Sequence, residues 1–290
     1  MTEPDVPRPS RAEAAIVAYV AEQCRAIQSS VAAMDTSHET AIHDARVGIR
    51  RLRSALRVYA PMLVPLPVPE MDAELQWFAG ILGAVRDCQV LRVRLDLLVT
   101  SMAGDLPDGT SVAVADLIDN ELRRDYTERW QHVEQEQQSE RYVRLMAELE
   151  DWAEELPELS GPEKASRTMR KLVRQAERDV PRRLRRASKH HDPEKLHSAR
   201  KAAKRARYAE EAAAPIVGRK ASARSAKRYR RLQEVLGEHQ DSLLSATFLK
   251  RLATNPELGA NVGYALGVLH ERELRSAANA ERKARVLARK

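Results

Sequence analysis

Apolar residues recur at spacings of three and four almost from one end of the chain to the other, the signature of amphipathic helices. Ile42, Ala45, Ile49, Leu52, Leu56 and Tyr59 are one such row. The pattern predicts helices over 11–34, 39–60, 70–101, 110–137 and 139–156, then over 164–190, 193–216, 220–252 and 257–288. Breakers separate them. Pro61, Pro65, Pro67 and Pro69 form a stiff connection, Gly104 to Gly109 a loop, and Pro157 to Pro162 the best boundary between halves. Asp192-Pro193-Glu194 reads as an N-cap, a first-turn proline and an acidic first turn. Pro181 lies inside a basic helical run and is expected to kink or break it.

Composition agrees with an all-α fold. Ala, Leu, Arg and Glu dominate, aromatics are only 4%, and β-branched runs are scarce. At 290 residues and 43% hydrophobic, the chain can bury a core and has room for two domains or one duplicated one. Cys24 and Cys88 make neither a disulfide framework nor a metal-ligand spacing, so a reducing compartment is expected. Residues 1–10 are a Pro-rich polar stretch, read as a disordered tail and not as a signal peptide. No stretch reaches the roughly 20 apolar residues of a membrane span. The expectation is a soluble cytoplasmic protein with no membrane partner.

A repeat changes this picture. His43, Arg46, Arg50, Arg51 and Arg53 recur as His197, Arg200, Lys204, Arg205 and Arg207, each 154 residues on. Leu82-Gly83 and Asp87 recur as Leu236-Gly237 and Asp241 at the same offset. One spacing held through two motifs points to an internal duplication. It divides the chain into 11–160 and 161–290, each a four-helix bundle, with 139–156 an additional helix in the first.

Charge is distributed unevenly along this duplicated chain. Residues 161–290 hold 33 Lys and Arg against 14 Asp and Glu, whereas residues 1–160 hold 16 against 28. The first half has no lysine, and five of its arginines fall between Arg46 and Arg57. Such asymmetry suggests a polyanion-binding surface.

At 100° per residue, His43, Arg46, Arg50, Arg53 and Arg57 lie within roughly an 80° arc, with Arg51 on its shoulder and the apolar row opposite. His197, Arg200, Lys204 and Arg207 repeat the stripe, backed by Ala199, Ala203 and Ala206, with Arg205 beside it. Glu211 stands where a fifth cation would fall and closes the second stripe early. Like charges at these spacings repel, and no carboxylate lies within the first stripe. One reading makes the stripes interhelical ion-pair seams, with Asp87 and Asp241 as candidate partners. The favoured reading is a phosphate track, because arginine forks match phosphate oxygens and lysine adds point charge. The paired histidines head the two rows and could donate to an anion and gain charge on binding it. Arg167, Arg170, Lys171, Arg174 and Arg178 are candidates for extending the track, and Lys227, Arg228, Arg230 and Arg231 form a further cluster.

Other chemistry finds less support. His43-Asp44 resembles the pair of the HD metal phosphohydrolases, but the remaining ligands are missing and the second copy reads His197-Ser198. His190-His191-Asp192 is better read as a capped helix junction than as a metal site. No metal site and no cofactor are therefore expected.

The spaced residues His43, Arg46, Arg50, Arg51 and Arg53, followed by Leu82-Gly83-x-x-Arg86-Asp87, resemble the first half of a CHAD domain, the conserved histidine α-helical domain. His197 to Glu210 and Leu232-Gln233-x-x-Leu236-Gly237-x-x-Gln240-Asp241 resemble its second half, so the resemblance covers about residues 11–290. It implies two four-helix bundles related by a pseudo-twofold axis, with basic helices lining a central groove. It also implies binding of inorganic polyphosphate and association with polyphosphate granules, with the family's histidines falling on His43 and His197. The chain looks like a stand-alone member, without the triphosphate-hydrolase domain to which many members are fused.

Three functions compete at this stage. Non-catalytic polyphosphate binding is favoured. Nucleic-acid binding stays open, although aromatics for stacking are few and Tyr59 and Tyr208 fall off the stripe centres. A phosphoanhydride-processing enzyme would want a carboxylate cluster and a phosphate-cradling glycine loop, and Asp87 and Asp241 alone do not supply these. The chain is read as not an enzyme.

Overall fold

A computed structural model describes residues 10–35, 38–107, 109–156, 159, 164–190 and 192–288, and among these it has nine α-helices and no strand. They are α1 (Arg11–Ala32), α2 (His38–Tyr59), α3 (Val68–Met102), α4 (Thr110–Gln137), α5 (Glu140–Glu154), α6 (Ala165–His190), α7 (Pro193–Val217), α8 (Arg219–Ala253) and α9 (Ala260–Ala288). Every predicted helix is present. Two 3-10 turns, Ala60–Met62 and Ala103–Asp105, follow α2 and α3. Of the tail read as 1–10, residues 1–9 lie outside the described residues, as do most of Pro157 to Pro162 and His191, whereas Ser10 is not tail but the N-cap of α1. No described helix is long and apolar enough to cross a membrane.

Local chemistry sets the helix ends. Ser10 and Glu13 form a reciprocal capping box at α1: the Glu13 amide donates to Ser10 Oγ at 3.3 Å and the Ser10 amide to Glu13 Oε2 at 2.7 Å. Asp192 caps α7 as expected, its Oδ1 accepting from the Glu194 amide at 2.9 Å. That bond and Lys195 hold the Asp192 carboxyl below the usual carboxylate range, the side-chain bond to Lys195 contributing most. Gly218 has a φ of 95°, a left-handed conformation that lets this single residue connect α7 to α8. Pro181, expected to kink or break its helix, does not end it. α6 runs from Ala165 through Pro181 to His190. Proline removes one backbone donor, and a long helix supported on both sides of that position survives the loss.

The residues gather into two compact units, and neither is a single stretch of chain. One comprises Met1–Ala79, Glu140–Arg182 and Lys201–Arg231; the other comprises Gly80–Ser139, Arg183–Arg200 and Leu232–Lys290. Each therefore draws on both halves of the sequence. The division at residue 160 belongs to the repeat, and compactness divides the chain differently.

In the first unit, Ile16, Val20, Cys24 and Ile27 of α1 and Ile42, Ala45, Ile49, Leu52, Leu56 and Tyr59 of α2 are wholly buried. Gly48 permits the close approach of these helices, because a Cβ there would stand 2.9 Å from Ile27 Cγ1. The apolar row read from the sequence is thus the buried face of α2, and the basic stripe is turned away from the core. α5, the extra helix, packs on α1, where Arg25 donates to the Ala153 carbonyl at 2.6 Å.

The second unit has its own core, built from Leu95 and Val99 of α3, Val114 and Ile118 of α4, Leu249 of α8 and Leu266 of α9. At its side lies a fixed ionic node. Arg94 donates to Glu273 at 2.7 Å, to Glu238 at 2.8 Å and to Ser242 Oγ at 2.7 Å. Glu273 is only 3% exposed, so its charge depends on this guanidinium. Cys24 and Cys88 are both free and buried, and burial raises both thiol pKa values.

Candidate anion-binding site

The first unit brings the helices of the two repeat copies together. Arg51 of α2 lies 3.3 Å from Glu211 of α7, and its guanidinium stands 6.0 Å from the Tyr208 ring centre. Tyr59 of α2 donates its hydroxyl to the Ala209 carbonyl of α7 at 2.6 Å. Tyr19 of α1 places a largely buried hydroxyl near Arg51 and Glu211, and burial, then the Glu211 charge, raises its pKa. These contacts set the α2 stripe beside Lys204, Arg205 and Arg207. His197 and Arg200, at the start of the same helix, belong to the second unit.

Much of the stripe is braced from the side. Arg53 donates to Asp72 at 2.9 Å and to Gln76 at 2.7 Å, and Arg57 donates to the same Asp72 at 2.7 Å. Glu211 accepts from Arg207 at 3.0 Å while facing Arg51. Asp179 of α6 lies 3.7 Å from Arg205. Arg46 donates to the Ala79 carbonyl at 3.0 Å. The ion-pair reading therefore holds for part of the stripe. The acids concerned include Asp72 and Asp179, which the spacing of the repeat does not single out, and Glu211, which does more than end the second row: it ties the two rows together. Asp87 and Asp241 are half-buried, and each is engaged.

Arg50 differs from its neighbours. It sits at the centre of the first stripe, half-buried, with its Nε buried and without a hydrogen-bond partner. No acid pairs with it among the described residues. A guanidinium held in a row of braced cations, with unused donors of its own, is chemically suited to an anionic oxygen. His43, at the head of the row, is exposed.

The second unit repeats the head of the motif. His197 Nδ1 lies 3.0 Å from Gln240 Oε1, and Arg200 donates to the same oxygen. Gly237 lies against that arginine: a Cβ there would stand 3.4 Å from Arg200 Nη2. Arg170, Lys171, Arg174, Arg178, Lys227 and Arg231 are all exposed and all in the first unit. Arg170 also donates to the Ile216 carbonyl at 3.1 Å.

The first unit also holds a carboxyl pair that sequence reasoning missed. Glu210 of α7 is 6% exposed, and its pKa is pushed up to about 7, first by burial and then by the charge of Glu177 on α6. Ser225 of α8 donates to Glu177 at 3.1 Å. A carboxyl whose folded pKa exceeds its unfolded value holds its proton more tightly when folded. The stability from that proton is present at low pH and is lost as pH rises from about 4.5 through about 7. Glu210→Gln is therefore expected to match the wild type at pH 4 and to be more stable at pH 8, by about 1–2 kcal/mol. Thermal denaturation at the two pH values checks this, and an equal effect at both would contradict it. Among the described residues, no group of three or more His, Cys, Asp or Glu side chains is placed to hold a metal ion.

The family model of the CHAD domain matches residues 18–250. Two curated proteins of Mycobacterium tuberculosis, the uncharacterized proteins MT2285 (strain CDC 1551 / Oshkosh) and Rv2226 (strain ATCC 25618 / H37Rv), are each 30% identical over 237 residues, 80% of this chain. The chain spans only 44% of the length of each. Among solved structures, PptA from Streptomyces chartreusis shares the fold with a TM-score of 0.80 at 22% identity, over 95% of this chain and 98% of that one. The crystal structure of the CHAD domain from the plant Ricinus communis gives a TM-score of 0.72 at 26% identity, over 98% of this chain and 97% of that one.

Proposed function

Because the chain belongs to the CHAD domain family, we propose that it binds inorganic polyphosphate, without catalysis, through the cations that α2 and α7 set side by side. The observation that carries this reading is Arg50, an unpaired, half-buried guanidinium at the centre of a stripe whose flanking arginines are held in place by Asp72 and Glu211. Bracing fixes the forks before the ligand arrives and lowers the ordering cost of binding. Two acids against the row from Arg46 to Arg57 still leave an excess of positive charge.

The geometry favours a thin, base-free polyanion over nucleic acid. Tyr59 is wholly buried and Tyr208 only 4% exposed, so neither offers a ring face for base stacking. The carboxylates beside the stripe are bound to arginines, which suits them to positioning cations. Association with polyphosphate granules is the corresponding cellular reading.

Binding is expected to depend steeply on salt. A chain that meets four or five cations releases counterions, so the slope of log K against log salt should be about −3 or steeper, by analogy with single-stranded nucleic acids. A titration of labelled polyphosphate at several salt concentrations measures it. A slope near zero would rule out a phosphate track.

A further inference from the structure

The first unit carries a second basic surface, on α6 and the first part of α8, with a different character from the braced stripe. From Ala165 to Arg182 every exposed residue except Gln175 is a cation: Arg167, Arg170, Lys171, Arg174, Arg178 and Arg182. From Arg219 to Arg231 every exposed residue is a cation except Ala221 and Ala223. The buried faces are opposite: Ala165, Met169, Val173 and Val180 on α6, and Ser222 and Tyr229 on α8. Glu177 of α6 meets Ser225 at 3.1 Å and Tyr229 at 3.4 Å, so the two helices lie side by side there.

This surface is separate from the stripe. Asp179, on the flank of α6 that meets α7, takes Arg182 and Arg205 and so places an acid between the two basic regions. Beyond Arg182, the exposed cations of these two segments have no acid partner among the described residues. Like charges at three- and four-residue spacing repel along a helix, and an ordinary solvated face interleaves acids to relieve this. At the exposed positions of these two segments none is interleaved. The face also lacks an exposed aromatic ring for base stacking and an exposed large apolar side chain for membrane insertion.

We infer that the outward face of α6 and α8 is a second polyphosphate-binding surface, independent of the α2–α7 stripe, so that one molecule engages two short chains or two stretches of a long one. This rests on the polyphosphate reading above. Two linked sites raise the affinity for a long chain well beyond that of either alone, because the second binds at high effective concentration. The device therefore selects long chains and cross-links them.

The test is calorimetric titration of the whole chain with short-chain polyphosphate at physiological salt. It compares the wild type, an outer variant (Arg167→Gln, Arg174→Gln, Arg178→Gln, Lys227→Gln, Arg231→Gln) and an inner variant (Arg50→Gln, Lys204→Gln). The wild type should bind two short chains and each variant one, and the outer variant should show long-chain affinity reduced at least about tenfold. The outer variant should melt no lower than the wild type, because the substituted side chains are exposed and their mutual repulsion is relieved. An outer variant that keeps wild-type stoichiometry and long-chain affinity would overturn the inference and leave the proposed function standing. A wild type that binds no polyphosphate would overturn the proposed function itself. Displacement of polyphosphate from the outer face of the inner variant by an equal phosphate concentration of single-stranded DNA would also overturn the inference and assign that face to nucleic acid.

Discussion

Arg50→Ala combined with Lys204→Ala will weaken polyphosphate binding by roughly ten- to a hundredfold while leaving helix content unchanged. A charge-assisted hydrogen bond at a partly desolvated position is worth about 1.5–3 kcal/mol before solvent screening. Neither side chain belongs to the core: both are half-buried, on the face opposite the buried residues Ile49 and Leu52 on α2 and Ala203 and Ala206 on α7. Arg50 braces no acid, so its removal strands no carboxylate. Arg53→Ala would be a less clean experiment, since it leaves Asp72 with one arginine fewer and disturbs the bracing itself. Polyphosphate titration alongside far-UV circular dichroism checks the expectation. A double variant that binds like the wild type would remove the stripe from the binding site.

Arg94→Ala is expected to be the most damaging single substitution to stability, costing about 3–5 kcal/mol, the range for breaking a buried ion pair from one side. Arg94 is held by Glu273, Glu238 and Ser242, and the bonds to the two carboxylates raise its pKa despite its burial. The same contact keeps the Glu238 carboxyl below its usual range. Removing the guanidinium leaves the nearly inaccessible Glu273 charge uncompensated beside the core of the second unit. Urea denaturation of Arg94→Ala, Glu273→Leu and the double Arg94→Leu, Glu273→Leu variant separates the effects. The double variant should recover much of the stability, because replacing both partners with apolar groups removes the stranded charge. A double variant as unstable as Arg94→Ala would show that packing, and not charge, sets the cost.

The helices were legible because each depends on a local pattern. Ile42, Ile49 and Leu56 recur on one face of α2 and are buried there, and Asp192 with Pro193 marks its own helix start. The stripes were legible as rows of charge for the same reason. Their partners were not. Asp72 reaches Arg53 and Arg57 from another helix, Asp179 reaches Arg205 from a third, and no spacing along the chain encodes such meetings. Glu211 carried a readable signal, an acid at the place of a fifth cation, but its role needed the neighbouring Arg51 to be seen. The Glu177–Glu210 pair lies 33 residues apart in sequence and becomes chemically special only through burial. Pro181 is a strong local signal for a break, yet the helix continues through it. The compact units were also beyond sequence reach, because they cut across α3, α6, α7 and α8 and not at the linkers where composition changes.

The central claim is that the site takes a base-free phosphate chain. Competition at fixed physiological salt tests it most directly, with labelled long-chain polyphosphate challenged by unlabelled polyphosphate, single-stranded DNA, duplex DNA, RNA and triphosphate at matched phosphate concentration. Polyphosphate should displace the label at concentrations where the nucleic acids and triphosphate do not. Equal displacement by nucleic acids, phosphate for phosphate, would contradict the claim and make the cation rows a general electrostatic surface.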